Sequence, residues 1–243
     1  MHPAGLPEAD APGMFTAMCG RFSVTLPTDA MAQLFQAVPA NDLPDVPNYN
    51  VCPTNAVHTV TLQDGQRRLG AMRWGFIPHW YKKPNDGPLL INARAETIAE
   101  KPAFRAACRE RRAVIVANGF YEWTRDGEAR LPWYITRSDG AALAFAAIWQ
   151  SWTAKDADAD QMRTAAIVTT AANAAISSIH HRMPVILEPD DIALWLGEQG
   201  KGAATLMRPG PEHTLRWHRV DTRVNSNRAA GADLIDPLDP ASI

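Results

Sequence analysis

Two glycine-containing turns constrain what this chain can fold into more than any other feature. Asp64-Gly65 separates the strand-like runs 56–62 and 68–74, and Asp126-Gly127 separates 120–123 from 132–136. Either pair accepts the left-handed backbone of a tight hairpin, so each predicts two antiparallel strands joined over a few residues. Further strand-like runs lie at 113–117, 143–149, 164–170 and 214–220. The run 120–123 reads as a continuation of 113–117 past Gly119. Few helices separate them. Thr28 is a candidate cap for one carrying Met31, Leu34, Phe35 and Val38, and others are predicted at 101–111, 171–179 and 190–196. Four prolines between Pro39 and Pro53 predict an irregular loop, residues 74–88 a second loop, and residues 156–160 a surface turn. The expected fold class is α+β, with a mostly antiparallel, barrel-like sheet and a few flanking helices.

The chain has 243 residues, 46% apolar and 21% charged, enough to bury a core. No apolar run of membrane-spanning length occurs, so no membrane partner is expected. Three scattered cysteines, Cys19, Cys52 and Cys108, give neither a disulfide framework nor a Cys-x-x-Cys zinc site. A cytoplasmic protein without metal or cofactor is expected. Net charge is −2, yet residues 67–112 hold eleven Lys/Arg against four Asp/Glu, a local +7 that leaves −9 elsewhere. That stretch is either an anion-binding face or a solvated helix surface. Residues 1–18 are Ala/Pro/Gly-rich, with neither the basic nor the apolar region of a signal peptide. They read as a disordered extension or a start assigned too early, ahead of one catalytic domain over 19–238 and a tail over 239–243.

Candidate chemistry lies in four segments: Met18-Cys19-Gly20-Arg21-Phe22, Asn92-Ala93-Arg94-Ala95-Glu96, Gly119-Phe120-Tyr121-Glu122-Trp123 and His180-His181-Arg182-Met183-Pro184. An N-terminal cysteine offers an α-amine titrating near pH 8 beside a thiol. The amine forms a Schiff base with an aldehyde, and the thiol then closes a thiazolidine. Taken alone, Cys19 also fits a buried core cysteine. Glu122, at the end of an apolar run, reads as a proton-shuttling carboxyl or as an outward strand residue. His180 reads as a general acid/base or as a helix-capping histidine.

Together these segments closely resemble the SOS response-associated peptidase (SRAP) family of abasic-site processing proteins, from about Cys19 to Pro237. Tyr49-Asn50-Val51-Cys52-Pro53, Arg73-Trp74-Gly75 and residues 220–225 extend the resemblance. It implies an abasic-site sensor in single-stranded DNA. Cys19 would make the covalent link, with Glu122 and His180 moving protons and Asn92 hydrogen-bonding near the amine. Arg21, Arg94 and Arg182 would hold phosphates, and Thr169 would add a hydrogen bond. Trp74 and Trp80, the latter on a loop with Phe76, Pro78 and His79, are expected to be partly exposed and to stack on unpaired bases. Core packing is the alternative for both. A monomer acting on DNA at the nucleoid is expected, with replication-fork proteins as partners. Three other readings stay open: a cysteine peptidase using Cys19 and His180, a strand-cleaving lyase, and a non-catalytic single-stranded-DNA-binding module.

Overall fold

The computed structural model describes residues 20–154 and 161–239. The expectations placed on Cys19, on residues 1–18, on the turn at 156–160 and on residues 240–243 lie outside them. In chain order the described strands are β1 Phe22–Val24, β2 Val38–Pro39, β3 Asn48–Val51, β4 Ala56–Gln63, β5 Gln66–Trp74, β6 Asn92–Arg94, β7 Arg112–Ala117, β8 Gly119–Asp126, β9 Ala129–Arg137, β10 Leu143–Trp152, β11 Met162–Ala171, β12 Arg182–Pro184 and β13 Leu215–Arg219. Three short helices accompany them: α1 Thr28–Phe35, α2 Arg105–Glu110 and α3 Ile192–Leu196.

Both hairpins form. Asp64 and Gly65 take φ of 49° and 73°, the left-handed pair a two-residue turn needs, and Gly127 takes 57° between β8 and β9. The first hairpin enters a sheet ordered β12-β11-β10-β7-β4-β5-β2. Parallel pairing of Thr164 with Arg73 and Ala165 with Trp74 joins β11 to β5, so β4, β5, β11, β10 and β7 close into a ring. The second hairpin belongs to a five-stranded sheet, β13-β9-β8-β1-β3. The fold is α+β with largely antiparallel, ring-like pairing, as expected.

The chain changes sheets between β7 and β8, so residues 120–123 do not prolong the strand before them. Asn118 makes the turn: its N–H donates to the Ser23 carbonyl, and its Oδ1 accepts from the N–H groups of Thr25 and Leu26. Gly119 follows because nothing larger fits. A Cβ there would lie 2.3–2.6 Å from the Tyr134 ring and hydroxyl, which Ser23 holds at 2.6 Å. Gly119→Ala is therefore expected to cost roughly 1–3 kcal/mol through overpacking, measured as a fall in denaturation midpoint. An unchanged midpoint would show that Tyr134 moves aside freely.

Aromatic packing joins the two sheets. Phe22 of β1 meets Trp74 of β5 at 5.0 Å and Phe145 of β10 at 6.0 Å, and Phe120 of β8 meets Phe145 at 5.9 Å. Each such buried ring contributes about 1.5–3 kcal/mol. The opposite face of β8 and β9 carries Tyr121 and Tyr134, covered by Val220, Val224 and Leu234. The face bearing Phe120 thus looks toward the ring, and alternation puts Glu122 on that face too.

Several elements differ from expectation. Pro27, with φ −58°, occupies the position before α1, and Thr28 is the first helical residue without a side-chain cap. Gln36 adopts φ 50° and ends the helix, so Val38 joins β2 instead and Leu34 stays 53% exposed. The proline-rich segment contains β3, which pairs with β1. Residues 97–104 make turns before the short helix α2. Residues 172–179 form successive turns, not a helix: Asn173 Oδ1 accepts from the Ile176 N–H, and the Ala172 N–H donates across to His181. His180 therefore ends a turn, not a helix.

Candidate active site

The C-terminal half of β11 is the platform. It pairs with β6 in parallel on one side, Ile167 with Asn92 and Thr169 with Arg94. It pairs with β12 in antiparallel on the other, Thr169 with Pro184 and Ala171 with Arg182. Residues far apart in sequence, Asn92, Arg94, Thr169 and Arg182, thereby become neighbours. β8 comes against them through Glu122, which is buried at 2% exposure. Its Oε1 stands 4.0 Å from His180 Nδ1.

The His180 ring is fixed by the backbone. The Arg182 N–H, which can only donate, lies 3.1 Å from Nδ1. The Arg182 carbonyl lies 3.2 Å from the same Nδ1, so both backbone groups of Arg182 hold the ring in place. Burial lowers the His180 pKa, and the charges of His181 and Arg182 push the same way against a backbone contact that raises it. The ring is thus held as a neutral base at cellular pH, stacked on His181 with centroids 4.4 Å apart.

The arginines differ in how much of each is occupied. Arg182 makes a two-point ion pair with Glu96, at 2.5 and 2.9 Å, and donates to the Thr169 carbonyl at 2.8 Å. The pair holds the Glu96 carboxyl below its usual pKa. Arg182 thus ties β12 to the segment after β6, and Thr169 is buried behind it. Arg21 donates to Asn50 Oδ1 at 2.6 Å and to the Val224 carbonyl at 2.8 Å, anchoring residues 224–226 onto the sheet. Arg94 is exposed beside them. Asn92 is half-buried on β6.

The two tryptophans separate. Trp80 is 46% exposed on the loop after β5 and packs edge-on against His79. Trp74 corrects the expectation: it is fully buried, its indole N–H bonded to the Ile91 carbonyl at 3.0 Å, and it offers no face to a base. It sits at the closure of the ring, where β5 meets β11, which the sequence alone does not reveal.

The family model described as SOS response associated peptidase (SRAP) matches residues 18–227. The chain belongs to the SRAP family. Among SRAP relatives, abasic site processing protein YoaM of Bacillus subtilis is 35% identical, over 90% of this chain and 98% of that one. YedK of Escherichia coli, also named an abasic site processing protein, is 32% identical over 91% and 100%. HMCES of Pongo abelii, with the same description, is 30% identical over 91% of this chain and 77% of its own. A crystal structure of a Bacteroides thetaiotaomicron protein superposes with a TM-score of 0.80 at 24% identity, covering 90% of this chain and all of that one, so the two share a fold.

Sequence reasoning missed other residues that shape this candidate site. Glu96 stands out only as part of a motif, and its pairing with Arg182 requires β6 and β12 to flank the same strand. Asn50 holds Arg21 and donates to the Ser226 and Ala229 carbonyls. Trp133 and Arg219 lie in register with Glu122 across β9 and β13, a relation carried by strand order and by no motif. Among the described residues no group of three or more His, Cys, Asp or Glu could hold a metal ion, and no helix is long and apolar enough to cross a membrane.

Proposed function

We propose that this protein processes abasic sites in single-stranded DNA by trapping the ring-opened sugar at an N-terminal Cys19. The α-amine attacks the C1′ aldehyde and loses water to give an imine. The thiol then adds across the C=N bond and closes a thiazolidine, leaving a covalent DNA–protein crosslink. β-Elimination is the competing exit from the same imine and would give strand cleavage. The names of the relatives YoaM, YedK and HMCES support the substrate class.

One observation carries the reading. The Arg21 carbonyl accepts from the Tyr121 N–H at 3.0 Å, so the pairing of β1 with β8 persists to the residue before the strand. Continued by one more residue, that register sets Gly20 opposite Glu122, whose carboxylate stands 4.0 Å from the neutral His180 ring. Aldehyde capture needs this combination: ring opening and dehydration each move a proton, and a buried acid–base pair does so without bulk water. Asn92 then hydrogen-bonds near the amine. Exposed Arg94 lines the approach of the phosphates, while Arg21 and Arg182 stand beside it already bonded to Asn50 and Glu96, and Trp80 gives a base a surface to stack on; phosphate contact and stacking do not discriminate sequence.

The test is a denaturing gel. Protein beginning at Cys19 is expected to form an adduct with single-stranded DNA containing one abasic site and none with the intact strand. Equal adducts on both would overturn the proposal.

A further inference from the structure

Arg219 stands on the Glu122 side of the five-stranded sheet. Residues directly opposite one another in an antiparallel sheet share a face, and Glu122 pairs with Trp133, which pairs with Arg219. The three form a row across β8, β9 and β13. At about 4.8 Å per strand, Arg219 lies roughly 10 Å from Glu122 at the backbone. Trp133 is anchored by its indole N–H, which donates to Thr124 Oγ1 at 3.0 Å, on the same face. The Arg219 guanidinium lies over the Trp133 ring, 5.4 Å from its centroid.

What distinguishes this arginine is its place over Trp133 on the Glu122 face. Arg67, Arg137, Arg182 and Arg223 each meet a carboxylate. Arg219 meets none among the described residues, and its Nε is buried without an acceptor there, as are those of Arg21, Arg111 and Arg182. Two other arginines lie over tryptophans, Arg130 over Trp123 and Arg163 over Trp149. Trp123 and Arg130 belong to the opposite face of the hairpin, and Trp149 and Arg163 to the ring. A guanidinium stacked on an indole keeps its N–H edge available in its own plane, the geometry that binds phosphate through two hydrogen bonds.

We propose that Trp133 and Arg219 form a phosphate subsite for the DNA strand, about 10 Å from Glu122 along the same face and so one nucleotide or so from the reacting sugar. Trp133 acts as the platform and Arg219 as the ligand. The inference rests on the single-stranded-DNA reading above and extends it to residues that no motif marks.

The experiment compares wild type with Arg219→Gln and Arg219→Lys in two assays. In equilibrium binding to single-stranded DNA without a lesion, read by fluorescence anisotropy, Arg219→Gln is expected to weaken affinity roughly tenfold. It should also flatten the slope of log affinity against log salt by about 0.7, the release expected for one phosphate contact on a single strand. Arg219→Lys keeps the charge and should restore the slope but only part of the affinity. In the second assay the abasic strand carries a neutral methylphosphonate at one flanking position at a time. One position should slow adduct formation by the wild type and slow Arg219→Gln no further. Unchanged affinity and salt slope in Arg219→Gln would overturn the subsite. So would equal further losses at every neutral linkage, which would mean that Arg219 acts through the fold and not through a phosphate. Failure of the wild type to form any adduct would remove the abasic-site reading, and the anisotropy comparison would still decide the subsite independently.

Discussion

Glu122→Gln is expected to form the DNA adduct about 10²–10⁴-fold more slowly than the wild type in single-turnover assays, the span that a positioned general acid–base contributes. The substitution keeps the shape and most of the hydrogen-bonding reach of the side chain, and it removes only the capacity to take up and release a proton. Three steps of the proposed sequence need that capacity: opening the sugar ring, dehydrating the carbinolamine and delivering the thiol to the imine. The burial of Glu122 at 2% exposure matters here, because water has poor access to act in its place. DNA affinity and its salt dependence should not change, because Glu122 makes no phosphate contact in this scheme. A wild-type rate in Glu122→Gln would exclude the carboxylate from the chemistry. A matching loss of DNA affinity would assign it a structural role.

The parts of this molecule legible in its sequence are those governed by local chemistry. Asp64-Gly65 and Asp126-Gly127 announce hairpins because few residue pairs accept their backbone angles, and both hairpins form. Ring closure is legible only as a general shape, since the parallel contact of β11 with β5 depends on strands separated by some ninety residues. Trp74 shows the consequence: its place in a conspicuous Arg-Trp-Gly motif suggests a surface role, while the closure buries it. The basic stretch 67–112 is similar. Arg67 is paired with Glu198, Arg73 is turned onto the Gly75 carbonyl, and Arg112 holds the carbonyls of Cys108 and Arg109 at the end of α2. A charge run in sequence says how many cations are present. The strand pairing then determines which of them remain available, and here Arg68, Lys82, Lys83, Arg94, Lys101, Arg105 and Arg109 are exposed. The candidate site is legible in sequence only as motifs, in which Glu122, His180, Asn92 and Arg94 stand out. The occupation of Arg182 by Glu96, and the row that ends at Arg219, require the register.

Protein that retains residues 1–18 is expected to form no adduct, and protein begun at Met18 and trimmed to Cys19 is expected to form it fully. The difference is one of nucleophilicity. An α-amine with a pKa near 8 is partly neutral at cellular pH and attacks an aldehyde, whereas the same nitrogen inside a peptide bond is an amide and does not. Neither Glu122 nor His180 can compensate, since both act on protons and neither supplies the attacking atom. Cys19→Ala, begun at Met18, separates the two functional groups further: it keeps the amine and should yield an imine trapped by borohydride, without the borohydride-independent adduct that needs the thiol. Intact mass spectrometry before and after incubation distinguishes how the amine becomes available. If the long form shortens to Cys19 on its own, and Cys19→Ala and His180→Ala each block that shortening, the cysteine also acts as a peptidase on its own leader and the two chemistries share one nucleophile. If the long form stays intact and still crosslinks abasic DNA, the amine is not the trap. The thiol of Cys19 or another nucleophile would then have to carry the reaction, and the proposed mechanism would be wrong at its first step.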